Sequence, residues 1–558
     1  MNNLNFLVDV LKESPVFKTL EKNVKPGRTV CASGLSTINK SNIIYALCRL
    51  KGVTAFCLAS DEKEAQTLCN DLSCMGLRAY VYPVRDFNFL DFQSRSHEYE
   101  HARLKVLLKL LNHECDVAIA CVDAAAQLTV PRNVLEQSVI EFEEGKELSL
   151  EKATKALTLL GYERFDAVEG SGQFSLRGGI LDFFMPDSEY PVRCEFWGDE
   201  ITDLSYFDIE TQRRFKKADK ITLSPSTEIV IEDRAALADK IEHKAKLLRS
   251  KNSAKAKEKL FSEAELIRSG AMIANADKFI NQIYDKPESL FDYLDRNTLV
   301  FASEFTAIQE RGKSMDFISN ETLMQGFEDG TLCRGFDRFA LTFNECTEFL
   351  QSHGTIVLEN FVHGSMPIKL SEIISFSTKQ LSAWGGSYKQ LKEDVDGLFT
   401  PESKGVIFAG TERAAKNLCD TFNADGINAV YSEGADKISK GELLVMQGAL
   451  SAGFEYPSQK FFAITYSQVS YRPEKSKKKK KKTGQEIYSL SELAPGDYVV
   501  HNVHGIGVFG GIRKIDTHGV IKDYIKIDYA KGDVLYVPVT QLDMVAKYIG
   551  PKEDSRVK

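Results

Sequence analysis

No run of about 18 uninterrupted apolar residues occurs in this 558-residue chain, so the sequence offers no membrane-spanning helix. The opening MNNLNFLVDVLKESP lacks the basic and apolar blocks of a secretion signal, and the expected compartment is the cytoplasm. Cys-x-x-Cys pairs are missing too. The eleven cysteines are scattered and odd in number, and the Cys69/Cys74 and Cys115/Cys121 spacings do not suit a zinc knuckle. They read as reduced core residues. There is no G-x-S-x-G elbow, which leaves a serine hydrolase without support. A large charge of one sign is also lacking. The net charge of −8 argues against an even nucleic-acid-binding coat, while leaving room for a local basic patch. What is present is ordinary for a globular chain, 43% hydrophobic and 27% charged, long enough for about three to five domains.

The first stretch alternates strands and helices. RTVCAS (Arg28–Ser33), VTAFCLAS (Val53–Ser60), AYVYP (Ala79–Pro83) and DVAIACV (Asp116–Val122) read as strands. Ser41–Gly52, Asp61–Gly76 and His101–Leu111 read as helices, the second with a capping aspartate and a terminal glycine. This alternation predicts a parallel sheet with helices on both faces. After about Asp123 come short strands separated by Gly, Pro and Asp turns, a small α+β insert. A helical region rich in Ala, Lys and Glu follows, about Ile229 to Asp295, and Asn297–Phe305 is a returning strand. A second strand-helix series occupies about Asn344 to Ser470. The run of six lysines within Glu474–Gly484 repels itself and predicts a solvated linker, with a phosphate contact as the alternative. The last segment has short alternating strands and Gly-Asp turns that fit a small β-barrel. The expected divisions are 1–122, 123–225, 226–345, 346–470, 471–485 and 486–558.

GLSTINKS (Gly34–Ser41) follows a strand and opens a helix, where a phosphate loop belongs. It meets G-x-x-x-x-G-K-[ST] except that Asn39 replaces the second glycine. Asn tolerates left-handed backbone, so Gly34, Lys40 and Ser41 are candidate nucleotide contacts. The strand that should supply a metal-binding Asp-Glu reads Ala302-Ser303-Glu304, without the aspartate. A decayed loop with a structural role is the expectation. HEYEH (His97–His101) matches H-E-x-x-H, but a third ligand is not evident. His501-x-x-His504 has no cysteines near it, and no metal is expected. Arg177, Arg193 and Trp197 lie on insert strands among acidic residues: either an exposed sheet with ordinary charge pairing, or a docking face. DYIKIDYA (Asp523–Ala530) alternates Ile525 and Ile527 with Lys526 and Asp528, so one face packs inward. At a sheet edge such a strand could extend a partner's sheet; inside a barrel it could not.

Gly170–Arg214 closely resembles the UvrB-like module of the transcription-repair coupling factor family. Gly441–Thr465 resembles that family's third domain, and Pro495–Gly550 its RNA-polymerase-interacting domain. The resemblance covers essentially the whole chain in the family's domain order. It implies an α/β multidomain architecture: a UvrB-like parallel α/β domain with an α+β insert, a second small α/β domain and a C-terminal small β-barrel module. It implies that Arg177, Arg193 and Trp197 contact UvrA, and that Tyr524, Ile525, Lys526 and Ile527 grip the RNA polymerase β subunit through an edge strand, with Ile525 foremost. Family members continue into motor domains that use ATP and magnesium and act on DNA. This sequence stops at Lys558, so no ATPase activity, catalytic residue, metal or cofactor is expected of it. A monomer, away from membranes, with UvrA and polymerase as partners and a UvrA-binding face left open, is the resulting expectation.

Overall fold

The computed structural model describes residues 4–85, 97–248, 253–270, 276–330, 332–362, 366, 368–385, 387–466, 484–486, 496–501, 505–517, 520–529, 534–538 and 545–548. The chain forms two compact units, residues 1–471 and 472–558.

In chain order the first unit begins with strands β1 (Val30–Ser33), β2 (Ala55–Ala59), β3 (Ala79–Tyr82) and β4 (Val117–Cys121). The insert supplies β5 (Ile140–Glu143), β6 (Glu163–Arg164), β7 (Gln173–Arg177), β8 (Ile180–Phe183), β9 (Val192–Trp197), β10 (Glu200–Phe207), β11 (Arg214–Lys217) and β12 (Lys220–Leu223). Then come β13 (Leu299–Ser303), β14 (Thr355–Leu358) and β15 (Glu372–Ser375), and after them β16 (Lys379–Leu381), β17 (Lys404–Phe408), β18 (Ala429–Tyr431), β19 (Glu442–Met446), β20 (Gly453–Tyr456) and β21 (Phe461–Thr465).

The first sheet runs β15-β1-β14-β13-β2-β4-β3 and is parallel throughout. Its central strands β1, β2, β4 and β14 are buried along their whole length. That is why they read as unbroken apolar runs rather than alternating ones. The helix Glu62–Cys74 starts where the sequence says, Asp61 accepting the Glu64 N–H at 2.7 Å, whereas the helices Thr37–Lys51 and Glu98–Leu111 begin before the expected Ser41 and His101. This sheet extends past residue 345, the expected limit of the first α/β domain. Strands β14 and β15 flank β1 on its two sides, and without them the buried strand would have no ladder partners.

The insert is a six-stranded sheet ordered β11-β10-β9-β8-β7-β6, antiparallel except for β6–β7, with β5 and β12 paired beside it. It has a core of its own around Phe142, Phe174, Leu181, Phe183 and Cys194. The helices Arg234–Leu247 and Ser253–Arg268 pack on one another through Leu237, Ile241, Leu260 and Ile267. The next sheet runs β16-β20-β21-β17-β19-β18. One apolar core joins it to the first sheet: Phe6, Ile43 and Val30 share a cluster with Phe408, Phe454 and Phe461. All eleven cysteines are free, and all but Cys74 are fully buried. Burial pushes the Cys31 thiol up to about 12, far from the thiolate that reactivity requires. No helix among the described residues is long and apolar enough to cross a membrane.

The second unit is an antiparallel sheet: β22 (Gly484–Glu486), β23 (Tyr498–His501), β24 (Gly505–Thr517), β25 (Val520–Asp528), β26 (Val534–Pro538) and β27 (Val545–Tyr548), in the order β22-β27-β23-β24-β25-β26. Val499, Phe509, Ile525, Ile527 and Val537 form its core. Among the described residues no pairing joins β22 to β26 to close a barrel. The lysine run and His504 lie outside the described residues.

Candidate functional site: a closed phosphate loop and an open sheet face

Gly34 stands at φ +77°, left-handed backbone that favours glycine. A Cβ here would lie 2.2 Å from the Phe376 carbonyl oxygen. The loop is strapped down on both sides. Thr378 Oγ1 donates to the Gly34 carbonyl at 2.7 Å, and the Gly34 and Leu35 N–H groups donate to the carbonyls of Asn360 and Glu359. Asn39 does not use the left-handed backbone that asparagine tolerates. It lies in the first turn of the helix Thr37–Lys51, where an ordinary side chain fits.

Lys40 is only 2% exposed. Its Nζ donates to Glu304 Oε1 at 2.6 Å, Ser303 Oγ at 2.9 Å and Glu64 Oε1 at 3.3 Å. Burial alone would raise the Glu64 carboxyl, but Lys40 and hydrogen bonds from Ser303 and Ser60 outweigh it and hold the group below its usual value. Ser41 Oγ donates to Asp71, which also accepts the Ser451 N–H and hydroxyl, each at 2.7 Å. Burial pushes Asp71 up to about 6 in spite of these donors. The three candidate nucleotide residues are thus together in space, but each is already spent on the protein itself. The residues present do not fit a nucleotide phosphate.

Arg177, Arg193 and Trp197 come together on the outward face of the insert sheet. Asp182, 1% exposed, joins the two arginines. It accepts Arg193 Nε at 2.7 Å and Nη2 at 2.8 Å, a two-pronged pair, and Arg177 Nη2 at 2.9 Å. Arg193 also donates to the Gln212 carbonyl and side chain and lies over the Phe207 ring at 4.4 Å. Its side chain is 13% exposed, against 52% for Arg177. Hydrogen bonding to Asp182 raises the Arg193 pKa further. Trp197, at the end of β9, is 83% exposed. Arg214, bonded to Glu195 and Asp203, completes the face. Arg193 therefore positions the face, while Arg177 and Trp197 are the groups it offers. Sequence reasoning passed over Asp182; an aspartate inside the apolar strand Ile-Leu-Asp-Phe was the signal, because a buried carboxylate demands a cation.

In the second unit the expectation of an edge strand is corrected. Strand β25 has β24 on one side and β26 on the other. Ile525 and Ile527 are fully buried in the core, and only Tyr524 and Lys526 are partly exposed, Lys526 paired to Asp528 at 2.7 Å. Among the described residues the outer strands are β22 and β26, and β26, next to β25, shows Val534 and Tyr536, each 43% exposed. His97 and His101 stack at 5.9 Å, but their nitrogens turn to Glu100 and Ser226, and no described group of three or more His, Cys, Asp or Glu could hold a metal ion.

Comparison with known proteins meets this geometry at both places. Residues 140–229, the insert, match the family model described as the UvrB interaction domain. Residues 493–549, most of the second unit, match the CarD-like/TRCF RID domain. The curated transcription-repair-coupling factor of Bacillus subtilis is 29% identical over 97% of this chain. This chain is thus similar to the transcription-repair-coupling factors over nearly its whole length. Those of Staphylococcus haemolyticus and Staphylococcus aureus strain MRSA252 are 27% and 24% identical, over 85% and 99% of the chain. The chain spans about half the length of the transcription-repair-coupling factors it matches: 47% of the Bacillus protein and 48% of the MRSA252 protein.

Proposed function

We propose that the chain serves transcription-coupled repair as an adaptor, binding UvrA through the insert and RNA polymerase through the second unit. The observation that carries this reading is the exposed Trp197 on the same sheet face as Arg177, within the region that matches the UvrB interaction domain. A large exposed aromatic sharing a face with a half-exposed guanidinium suits a protein interface. Arg177 can share a carboxylate of UvrA, and Trp197 loses most of its hydration on docking. For the polymerase we assign the β26 edge, whose unpaired backbone can add to a β-subunit strand. Nucleotide hydrolysis forms no part of this function, since Lys40, Ser41 and Gly34 are engaged within the protein.

Purified UvrA and RNA polymerase, each captured on the immobilised chain, test the reading. Trp197→Ala should lose UvrA and keep polymerase; Tyr536→Asp should do the reverse. Ile525→Arg is unsuitable as a probe, because it places a charge in the core. A wild-type chain that captures neither partner overturns the adaptor reading.

A further inference from the structure

Residues 213–220, Arg-Arg-Phe-Lys-Lys-Ala-Asp-Lys, place five cations and one carboxylate together in a chain whose net charge is −8. Strand β11 within them is the outer strand of the insert sheet, paired only with β10, and all four of its residues are exposed. Charged side chains on an edge strand keep sheets from joining edge to edge, and that need would account for the lysines. It does not account for Phe215. This ring is 54% exposed and meets the 39%-exposed Tyr190 ring edge to face at 4.7 Å. Lys216 reaches over the Tyr206 ring at 5.8 Å. Arg214, Lys217 and Lys220 are bonded to neighbouring carboxylates. Among the described residues, Arg213 and Lys216 have no carboxylate within ion-pair reach.

We propose that this edge binds single-stranded nucleic acid, a base stacking on Phe215 while Arg213 and Lys216 take the flanking phosphates. Exposed aromatic rings between unpaired cations provide both halves of that recognition, since every base has a stacking face and every linkage a charge. The groups used here, Arg213, Phe215 and Lys216, are not those of the UvrA-binding reading, Arg177 and Trp197, although Arg214 borders that face. Tyr190 precedes the start of β9, whereas Trp197 ends it.

Fluorescence anisotropy of a labelled oligothymidylate about 20 nucleotides long, titrated with the intact chain at several salt concentrations, tests the proposal. Phe215→Ala should weaken binding about tenfold, the size of one lost stack, and Phe215→Tyr should restore it. Arg213→Glu with Lys216→Glu should lower the slope of log affinity against log salt by about 1.4, two phosphate contacts' worth. Trp197→Ala should bind the oligonucleotide as wild type does, so failure here is distinct from failure to capture UvrA. Absence of binding overturns the proposal. So does equal binding by all variants, which would place the contact in the lysine run. Competition by polyglutamate with the same dependence on Phe215 also overturns it, making the edge a surface for acidic polypeptide.

Discussion

Lys40 and Arg193 are each held by carboxylates, yet the two clusters face different surroundings. Around Lys40 the protein closes in: Glu304, Glu64 and Ser303 surround the ammonium, and Glu359, Asn360, Phe376 and Thr378 hold the loop. Around Arg193 the same kind of pairing lies under an open sheet face, with Arg177 and Trp197 left in solvent. A buried ion pair does little for net stability but becomes costly when one member is removed. Used at the loop, it ties two helices to the end of β13. Used on the insert, it fixes the geometry of a surface while leaving the surface free.

Removing Lys40 should break the first cluster with the largest effect. Lys40→Ala strands buried carboxylates and should lower unfolding free energy by about 3–5 kcal/mol, read as a fall in the urea midpoint. A wild-type midpoint would return the nucleotide reading to consideration. Asp182→Asn should cost less, about 2–3 kcal/mol, because Arg177 can turn to water. It should also weaken UvrA capture by freeing Arg193 to move. Trp197→Ala should leave the midpoint within about 0.5 kcal/mol of wild type, as surface changes do. Its UvrA affinity should fall roughly 30-fold, about 2 kcal/mol. A large loss of stability instead would make Trp197 part of the fold rather than of the docking face.

The smallest effect sharpens the comparison through pH. Burial and the neighbouring Glu304 push the Glu359 carboxyl up to about 8. The folded chain therefore keeps a proton that the unfolded chain releases near pH ~4.3. That contribution to stability is complete below this value and is lost as pH rises through about 8. Glu359→Gln cannot ionise. Its stability relative to wild type should climb across that interval and level off on either side. Parallel urea-midpoint curves would remove Glu359 from the pH response.

Much of the α/β framework was legible. All-apolar β1, β2 and β4, and the capping Asp61, announce their conformation locally. The side-chain period of DYIKIDYA correctly points Ile525 and Ile527 inward, but alternation says which face is buried, not how many neighbours a strand has. An edge is a property of the assembled sheet. For the same reason β14 and β15 looked like the start of another domain. Asp182 was hidden by distance of another sort: its two arginines come from different strands, and only the sheet register aligns them.

The placement of β1 bears on how the chain is made. Thr29, at its entrance, is hydrogen-bonded to Thr355, 326 residues later. At synthesis rates of roughly 5–20 residues per second, β1 waits on the order of tens of seconds beyond the ribosome before either flanking strand exists. During that interval its ladder groups and the apolar faces of the first helices must be shielded by a chaperone or by the ribosome surface. Slower elongation within residues 30–355 should therefore lower the yield of folded chain more than the same delay after residue 375.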